Sequence, residues 1–223
     1  GIMSTKKAAK RKKSSGIEDL ETKYWHRLLT HGQRPASVYA FAQEIGIAEA
    51  DFYKHVSTFG ALEAAYWKRL VTETIAILKK DDDYAAYSPE QKLLAFYFTF
   101  FTHAQKNRSR MVEFFPESSH SKSLQPMRHA FVKFAEELIK EGVEGGLIAD
   151  RKKLTERYPC LLFEQFRQII GFYRKDQSDE FQDTDALIEK TVRFSADVAS
   201  SGTLDSAFDL GRFLLRRFTI TKF

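Results

Sequence analysis

Cysteine is almost missing from this chain of 223 residues: Cys160 stands alone, which excludes an intrachain disulfide and any zinc site built from several cysteines. It reads as a small buried apolar residue. Proline is sparse too, with five residues in all, so long stretches contain nothing that breaks a helix. No apolar run approaches the roughly 18 to 20 residues that cross a bilayer. The charged N-terminal segment is not followed by the apolar stretch of a secretory signal. These absences predict a cytoplasmic protein without membrane insertion. The six histidines, at 26, 31, 55, 103, 120 and 129, form no i, i+4 pair with a nearby carboxylate in a metal-binding pattern, so no metal or other cofactor is expected. EGVEGG at 141–146 lacks the Lys-Ser/Thr ending of a phosphate loop, and its glycines read as helix C-caps. SSHS at 118–121 has a serine beside a histidine but no third partner. The chain is not expected to be an enzyme.

What is present is apolar and helical. A hydrophobic content of 43%, including 20 Phe, supports a substantial core arranged as one small and one larger helical unit. The informative stretch is Gly32 to Leu70, preceded by a helix over Ile17 to His31. Val38, Phe41, Ala42 and Ile45 fall at i, i+3, i+4 and i+7, on one face of a helix that opens through Pro35 and Ser37. Gly46 supplies the left-handed backbone of a tight turn, Ile47 plugs the corner, and a second short helix opens near Ala48. Phe52 and Val56 face inward from it. Asp51, Lys54 and His55 lie at i, i+3 and i+4 on the other side, where a recognition helix meets the major groove of DNA.

Within this stretch, GIAEADFYKHVSTFGAL follows without gaps the pattern Gly, apolar, Ser, x, Gly, Thr, apolar, Tyr, x, His, Phe of TetR-type repressors, which the chain resembles. GLIAD at 146–150 looks like the family's link between later helices. The resemblance implies an all-α fold: an N-terminal three-helix helix-turn-helix domain and a larger helical domain for ligand binding and dimerisation. It implies DNA contacts from Ser37, Tyr53, Lys54 and His55, with Tyr53 and His55 near phosphates and Lys54 on phosphate or base. Solvated polar residues on a surface helix would look the same. The departures are specific. Ala48 replaces Ser and loses a helix cap, Ala50 replaces Gly, and Asp51 replaces Thr, placing a carboxylate that phosphates repel although a cytosine amino group can bond it. Phe59 and Gly60 stand where the family usually has Lys-Glu.

Charge bears on the same question. The net +5 rests on Lys6, Lys7, Lys10, Arg11, Lys12 and Lys13, and without these six the chain carries −1. From Ile17 to Leu70, six Lys and Arg face seven Asp and Glu, so that segment is also −1. A DNA reader ordinarily carries its basic footprint on the folded module. The tail is either an arm along the groove or backbone, or a solubilising extension. We divide the chain into a basic disordered tail (1–16), a helix-turn-helix DNA-binding domain (17–70) and a helical ligand-binding and dimerisation domain (71–223).

Beyond Leu70 the first long helix runs on through Val71, Thr74, Ile75 and Leu78 until Asp81–Asp83 interrupt it. In the resembling family this helix is the lever through which a ligand resets the spacing of the two recognition helices. Ser88, Pro89 and Gln91 form a capping box with proline at the first helical position. Leu94, Tyr97, Phe98 and Phe101 then recur at helical spacing, with Phe96 and Phe100 adjoining, so this helix is apolar almost all round. Phe114 and Phe115 follow, and Met127, Phe131, Phe134 and Leu138 make another stripe. Tyr97, Phe98, Phe101, Phe114, Phe131 and Phe134 are the candidate lining of a pocket for a small hydrophobic effector, though core packing explains the same pattern. Helices are expected at 152–173, 184–199 and 204–218. Family resemblance suggests a four-helix dimer interface carried by Leu162, Phe166, Ile169, Ile170, Phe208, Gly211, Leu214 and Leu215, with Gly171 and Gly211 permitting close approach; completion of the monomer core is the alternative.

Two functions follow. The first is a ligand-responsive transcriptional regulator, acting as a repressor, that binds a palindromic double-stranded operator as a homodimer. The second is a protein of the same fold that has lost operator binding and holds a lipid or isoprenoid-like molecule or a protein partner, for which ubiquinone-biosynthesis proteins of TetR architecture give a fold-level precedent. Ala48, Asp51, Phe59 and the acidic helix-turn-helix motivate the second.

Overall fold

The structure, a computed structural model, describes residues 2–200, 202, 205–207 and 209–212, with side chains from Gly16 onward. Among the described residues all regular structure is helical. The helices are α1 (Ile2–His31), α2 (Val38–Ile45), α3 (Glu49–Tyr53), α4 (Phe59–Lys79), α5 (Pro89–Gln105), α6 (Arg108–Phe114), α7 (Gln125–Glu144), α8 (Tyr158–Lys175) and α9 (Gln182–Ala199). Helix α1 begins inside the segment that the sequence assigns to a disordered tail. Lys, Arg and Ala are good helix formers, and neither Pro nor Gly interrupts the run from Ile2 before Gly16. The chain divides into two compact units: unit 1 is Gly1–Leu70 with Ala104–Arg128, and unit 2 is Val71–His103 with His129–Phe223. Residues 104–128, which the sequence places with the larger domain, thus join the N-terminal unit.

Unit 1 is organised by aromatic side chains. Tyr24, Trp25 and Leu28 of α1, Phe41 and Ala42 of α2, Phe52 of α3, Leu62 and Trp67 of α4, and Met111 of α6 are all buried. Trp25 meets Trp67 edge to face at 5.6 Å, and Phe41 meets Phe52 at 6.3 Å. Such pairs add about 0.5–1.5 kcal/mol beyond the area they bury. Phe59 explains one departure from the family pattern: its ring stacks on Tyr24 at 5.1 Å and edges against Phe41 and Phe52. A residue expected at the phosphate-facing start of α4 is therefore spent on packing. Beneath it, Tyr24 donates to Glu63 at 2.7 Å while Arg34 grips the same carboxylate through two nitrogens.

Unit 2 is built around a phenylalanine cluster. Phe96 and Phe100 of α5, Phe131 and Phe134 of α7, and Phe163 and Phe166 of α8 are buried, with Phe131 and Phe166 stacked at 4.8 Å. Burying each contributes roughly 1.5–3 kcal/mol. Within unit 2 the inward face of α5 is Leu93, Phe96, Tyr97, Phe100 and Phe101. This is rotated by about one residue from the Leu94, Tyr97, Phe98, Phe101 stripe, because a helix apolar all round carries no periodicity to fix its orientation. At the end of α7, Gly146 is left-handed (φ 72°) and the Leu147 N–H bonds the Gly142 carbonyl at 2.8 Å. Ile148 folds back so closely that a Cβ on Gly142 would lie 2.3 Å from its Cδ1. Cys160, expected to be buried, is exposed: Tyr158, Pro159 and Phe163 take the inward positions around it.

Two polar devices hold α9. At its start, buried Asp176 accepts from the Ser178 N–H and Oγ at 2.8 and 2.6 Å and from the Thr184 N–H and Oγ1 at 2.9 and 2.6 Å. Desolvation pushes its carboxyl up, but the combined hydrogen bonds from Ser178 and Thr184 outweigh this and bring it down to about 2. At the other end, the Arg151 guanidinium donates to the carbonyls of Val198, Ala199 and Ser200 and pairs with Asp205 at 3.2 Å. Those carbonyls lie at the negative dipole end of the helix, and that of Ala199 also accepts the Ala149 N–H at 2.9 Å.

Candidate functional site

The first candidate lies on α2 and α3. Ser37 is extended, and its Oγ accepts the Ala40 N–H at 3.0 Å, so it serves α2 as N-cap. Gly46 is left-handed (φ 73°) and Ile47 donates back to the Ala42 carbonyl at 3.0 Å, closing the turn. Ala48 offers no side-chain cap, and the Asp51 N–H bonds its carbonyl at 2.9 Å. With α2 and α3 tied through Phe41 and Phe52, the remaining face of α3 is free to meet something else.

The four residues expected to meet DNA, Ser37 before α2 and Tyr53, Lys54 and His55 at the end of α3, differ in their surroundings. Tyr53 is 52% exposed, with its hydroxyl 3.4 Å from Glu49. Lys54 is exposed but paired with Asp51 at 2.6 Å, and this hydrogen bond, with the lysine charge, holds the Asp51 carboxyl below its usual range. His55 is half-buried against α1: a Cβ on Gly16 would come within 2.9 Å of its Cε1, and its buried Nδ1 has no hydrogen-bond partner among the described residues. Thus Ser37 and Tyr53 are exposed, Lys54 is half-neutralised, and His55 faces the N-terminal helix. Sequence reasoning overlooked Thr58, whose Oγ1 caps α4 by accepting the Ala61 N–H at 3.0 Å. The signal was a threonine directly before Phe59.

The second candidate is a cavity of about 460 Å³ in unit 2, made by the start of α5, the end of α7 with its following turn, the first turns of α8 and the last turns of α9. This falls within the roughly 300–1,000 Å³ of small-molecule sites. Leu93, Leu138, Ile148, Leu161, Leu162 and Val192 give it apolar walls, while Gln165 and Ser195 supply polar atoms. The Tyr97 hydroxyl donates to Gln165 Oε1 at 3.0 Å, and Gln165 Nε2 donates to Ser195 Oγ at 2.5 Å. Burial pushes the Tyr97 phenol far above its ordinary value, so it stays a neutral donor.

None of the six aromatic residues proposed from the sequence lines this cavity. Tyr97, Phe101, Phe131 and Phe134 are buried in the unit 2 core, Phe98 is half-buried on α5, and Phe114 belongs to unit 1, where it edges against Trp25. Tyr97 comes nearest in effect, through Gln165. Of the residues expected at a dimer interface, Phe166, Ile169 and Ile170 are buried within their own chain, Leu162 lines the cavity and Gly211 is half-buried. Phe208, Leu214 and Leu215 lie outside the described residues. The apolar side chains that α8 and α9 do present are Leu161 (56% exposed), Phe172 (43%) and Phe194 (68%). Gly171 lies beside Phe172, and among the described residues a Cβ there would meet nothing within 4 Å.

Among the described residues no group of three or more His, Cys, Asp or Glu could hold a metal ion, and no helix is long and apolar enough to cross a membrane.

Comparison with known proteins agrees with this architecture. Residues 92–214 match the Tetracyclin repressor-like, C-terminal domain family, and the chain belongs to that family. Two solved structures share the fold. The fatty acid degradation regulator FadR from Bacillus halodurans has a TM-score of 0.56 at 16% identity, over 82% of this chain and 97% of that one. A candidate TetR-family transcription regulator from Shewanella sp. PV-4 has a TM-score of 0.54 at 19% identity, over 79% of this chain and 95% of that one. No curated protein matches.

Proposed function

We propose that the chain is a TetR-type transcriptional regulator in which residues 17–70 read a palindromic operator and residues 71–223 bind a small hydrophobic effector and a second copy of the chain. The observation that carries this reading is the Ser37-capped α2, the Gly46 turn and the outward α3, joined to a chain whose residues 92–214 belong to the Tetracyclin repressor-like family. Tyr53 and Lys54 are the groove-facing side chains, with Ser37 at the start of α2 beside a phosphate. His55 sets the packing of α1 against α3. The effector occupies the cavity rather than the phenylalanine cluster, because the cluster is filled by its own rings. An aliphatic effector suits that lining, and the neighbour FadR is a regulator of fatty acid degradation. The homodimer forms through the outward α8 and α9 residues Leu161, Phe172 and Phe194.

One observation favours the second reading, a protein of this fold that does not read an operator. Asp51 neutralises Lys54, the only cation of α3 and its C-cap, while Glu49 and Asp51 place two carboxylates in the first turn. Selection of bound fragments from random duplex DNA at near-physiological salt separates the two. Enrichment of one palindrome by the full chain, lost in Lys54→Ala, supports the regulator; fragments without a shared site refute it.

A further inference from the structure

We infer that the unit 2 cavity takes a neutral, largely aliphatic ligand that offers a hydrogen-bond-accepting oxygen, such as an ester carbonyl, to the Ser195 hydroxyl, and that it discriminates against a free carboxylate on the same chain. This rests on the assignment of the cavity as the effector site.

The first argument is the polarity of the relay behind Ser195. The Tyr97 phenol donates to the Gln165 carbonyl oxygen, which leaves the Gln165 amide N–H₂ to donate to Ser195 Oγ. Ser195 therefore receives a hydrogen bond on its oxygen and keeps its own proton for another acceptor. Because Ser195 lines the cavity, the ligand is where that acceptor comes from. Hydrogen bonds in series polarise one another, so the hydroxyl is a better donor than an isolated serine.

The second argument is charge. Among the described residues lining the cavity the charged ones are Glu90 and Asp197, with no Lys, Arg or His. The last turn of α9, Ala196–Ala199, also lines it and brings the negative end of that helix. Arg151 bonds the back of the wall at Tyr158, yet its guanidinium is committed to the carbonyls of Val198, Ala199 and Ser200 and to Asp205. The N-terminus of α5 lines the cavity as well, but it is a poor anion site. Pro89 has no N–H, the Gln91 N–H is taken by Ser88 Oγ at 3.2 Å, and Glu90 adds a carboxylate. A carboxylate entering this site gives up its hydration and gains no cation from the described lining, whereas an ester or other neutral carbonyl gives up much less.

The test uses the full chain without DNA and follows binding by isothermal titration and native mass spectrometry. The probes, at pH 7.5, are methyl dodecanoate below its solubility limit and sodium dodecanoate and dodecylammonium chloride below their micellar concentrations. The inference expects a one-to-one complex with the methyl ester and at least tenfold weaker binding of dodecanoate. Ser195→Ala should weaken the ester several-fold, and Ser195→Thr, which keeps the hydroxyl, should retain it. Leu147→Trp, placed at an exposed position of the lining, should weaken the ester by obstructing the cavity. Dodecanoate binding as tightly as the ester, or an ester affinity indifferent to Ser195→Ala, overturns the inference while leaving the effector site in place. Tighter binding of dodecylammonium than of the ester overturns it in favour of the carboxylates as the recognition element. No complex with any of the three probes overturns both the inference and the effector-site assignment.

Discussion

Removing the Asp176 carboxylate should cost unit 2 about 2–6 kcal/mol. The stranded donors and the lowered carboxyl report the same contacts. The Thr184 N–H and hydroxyl are buried and both donate to Asp176 Oδ2, so Asp176→Ala strands two donors at about 1–3 kcal/mol each. Through those same bonds the carboxyl is held at about 2 in the fold, against an unfolded value of about 3.9, which is at most about 2.5 kcal/mol at neutral pH and less after solvent screening. The sign follows from the direction. A lowered carboxyl stabilises fully above its unfolded value, and that share is lost as pH falls from about 4 toward 2. Asp176→Asn keeps the volume and one acceptor but loses the charge, so it should cost about 1–2 kcal/mol at pH 7. Urea unfolding followed by circular dichroism at pH 7, 5 and 3 measures both quantities. The gap between wild type and Asp176→Asn should narrow between pH 5 and 3. An Asp176→Ala variant within about 0.5 kcal/mol of wild type at pH 7, below the range of these losses, or an Asp176→Asn gap that does not move with pH, would refute the reasoning.

Four further outcomes are expected. Asp51→Ala frees Lys54 and removes a carboxylate from the groove-facing side, so it should tighten DNA binding and steepen its salt dependence, read by fluorescence anisotropy across a salt series; weaker binding would mean that Asp51 itself contacts a base. Gly16→Val places a Cβ 2.9 Å from His55 Cε1 and should lower the melting temperature, whereas an unchanged melt would show that α1 does not hold its packing there. Phe194→Glu, at an exposed position of α9, should convert a dimer to a monomer with unchanged helicity in sedimentation velocity; a persistent dimer would move the interface off α9. Arg151→Ala should cost about 1–3 kcal/mol by removing the guanidinium from the carbonyls of Val198 and Ser200, while Ala199 keeps the Ala149 N–H. Hydrogen exchange should show faster opening of its last turn, and uniform exchange across α9 would count against the cap.

How far the sequence could be read depended on how local the determining contact was. Ser88 and Gln91 are three residues apart, and their capping box is present with both bonds, the Ser88 N–H to Gln91 Oε1 at 2.9 Å and the Gln91 N–H to Ser88 Oγ at 3.2 Å. Ser37 and Gly46 were readable for the same reason, as was the uncapped Ala48. The stripe Met127, Phe131, Phe134 and Leu138 is buried throughout because polar residues between them mark the outer face of α7. In α5 no such contrast exists, and the inward face could not be chosen. The cavity was hidden for a different reason. Its walls come from short pieces at the ends of α5, α7, α8 and α9, more than 100 residues apart at the extremes, and no residue among them is unusual in type. His55 likewise looked groove-facing on a helical wheel, since nothing local announces that Gly16 makes room for it.

The cavity shares Leu161 and Phe194 with the outward apolar face of α8 and α9. Those two side chains therefore serve two surfaces at once, and whatever fixes their rotamers on one side is felt on the other. For a self-associating chain, ligand affinity then becomes a function of protein concentration, and the association constant a function of ligand. A titration repeated at two concentrations of the chain, one far below and one far above the dissociation constant of the dimer, would give two different midpoints. Under the proposed dimer, their ratio would be the coupling between the two surfaces, carried by Leu161 and Phe194.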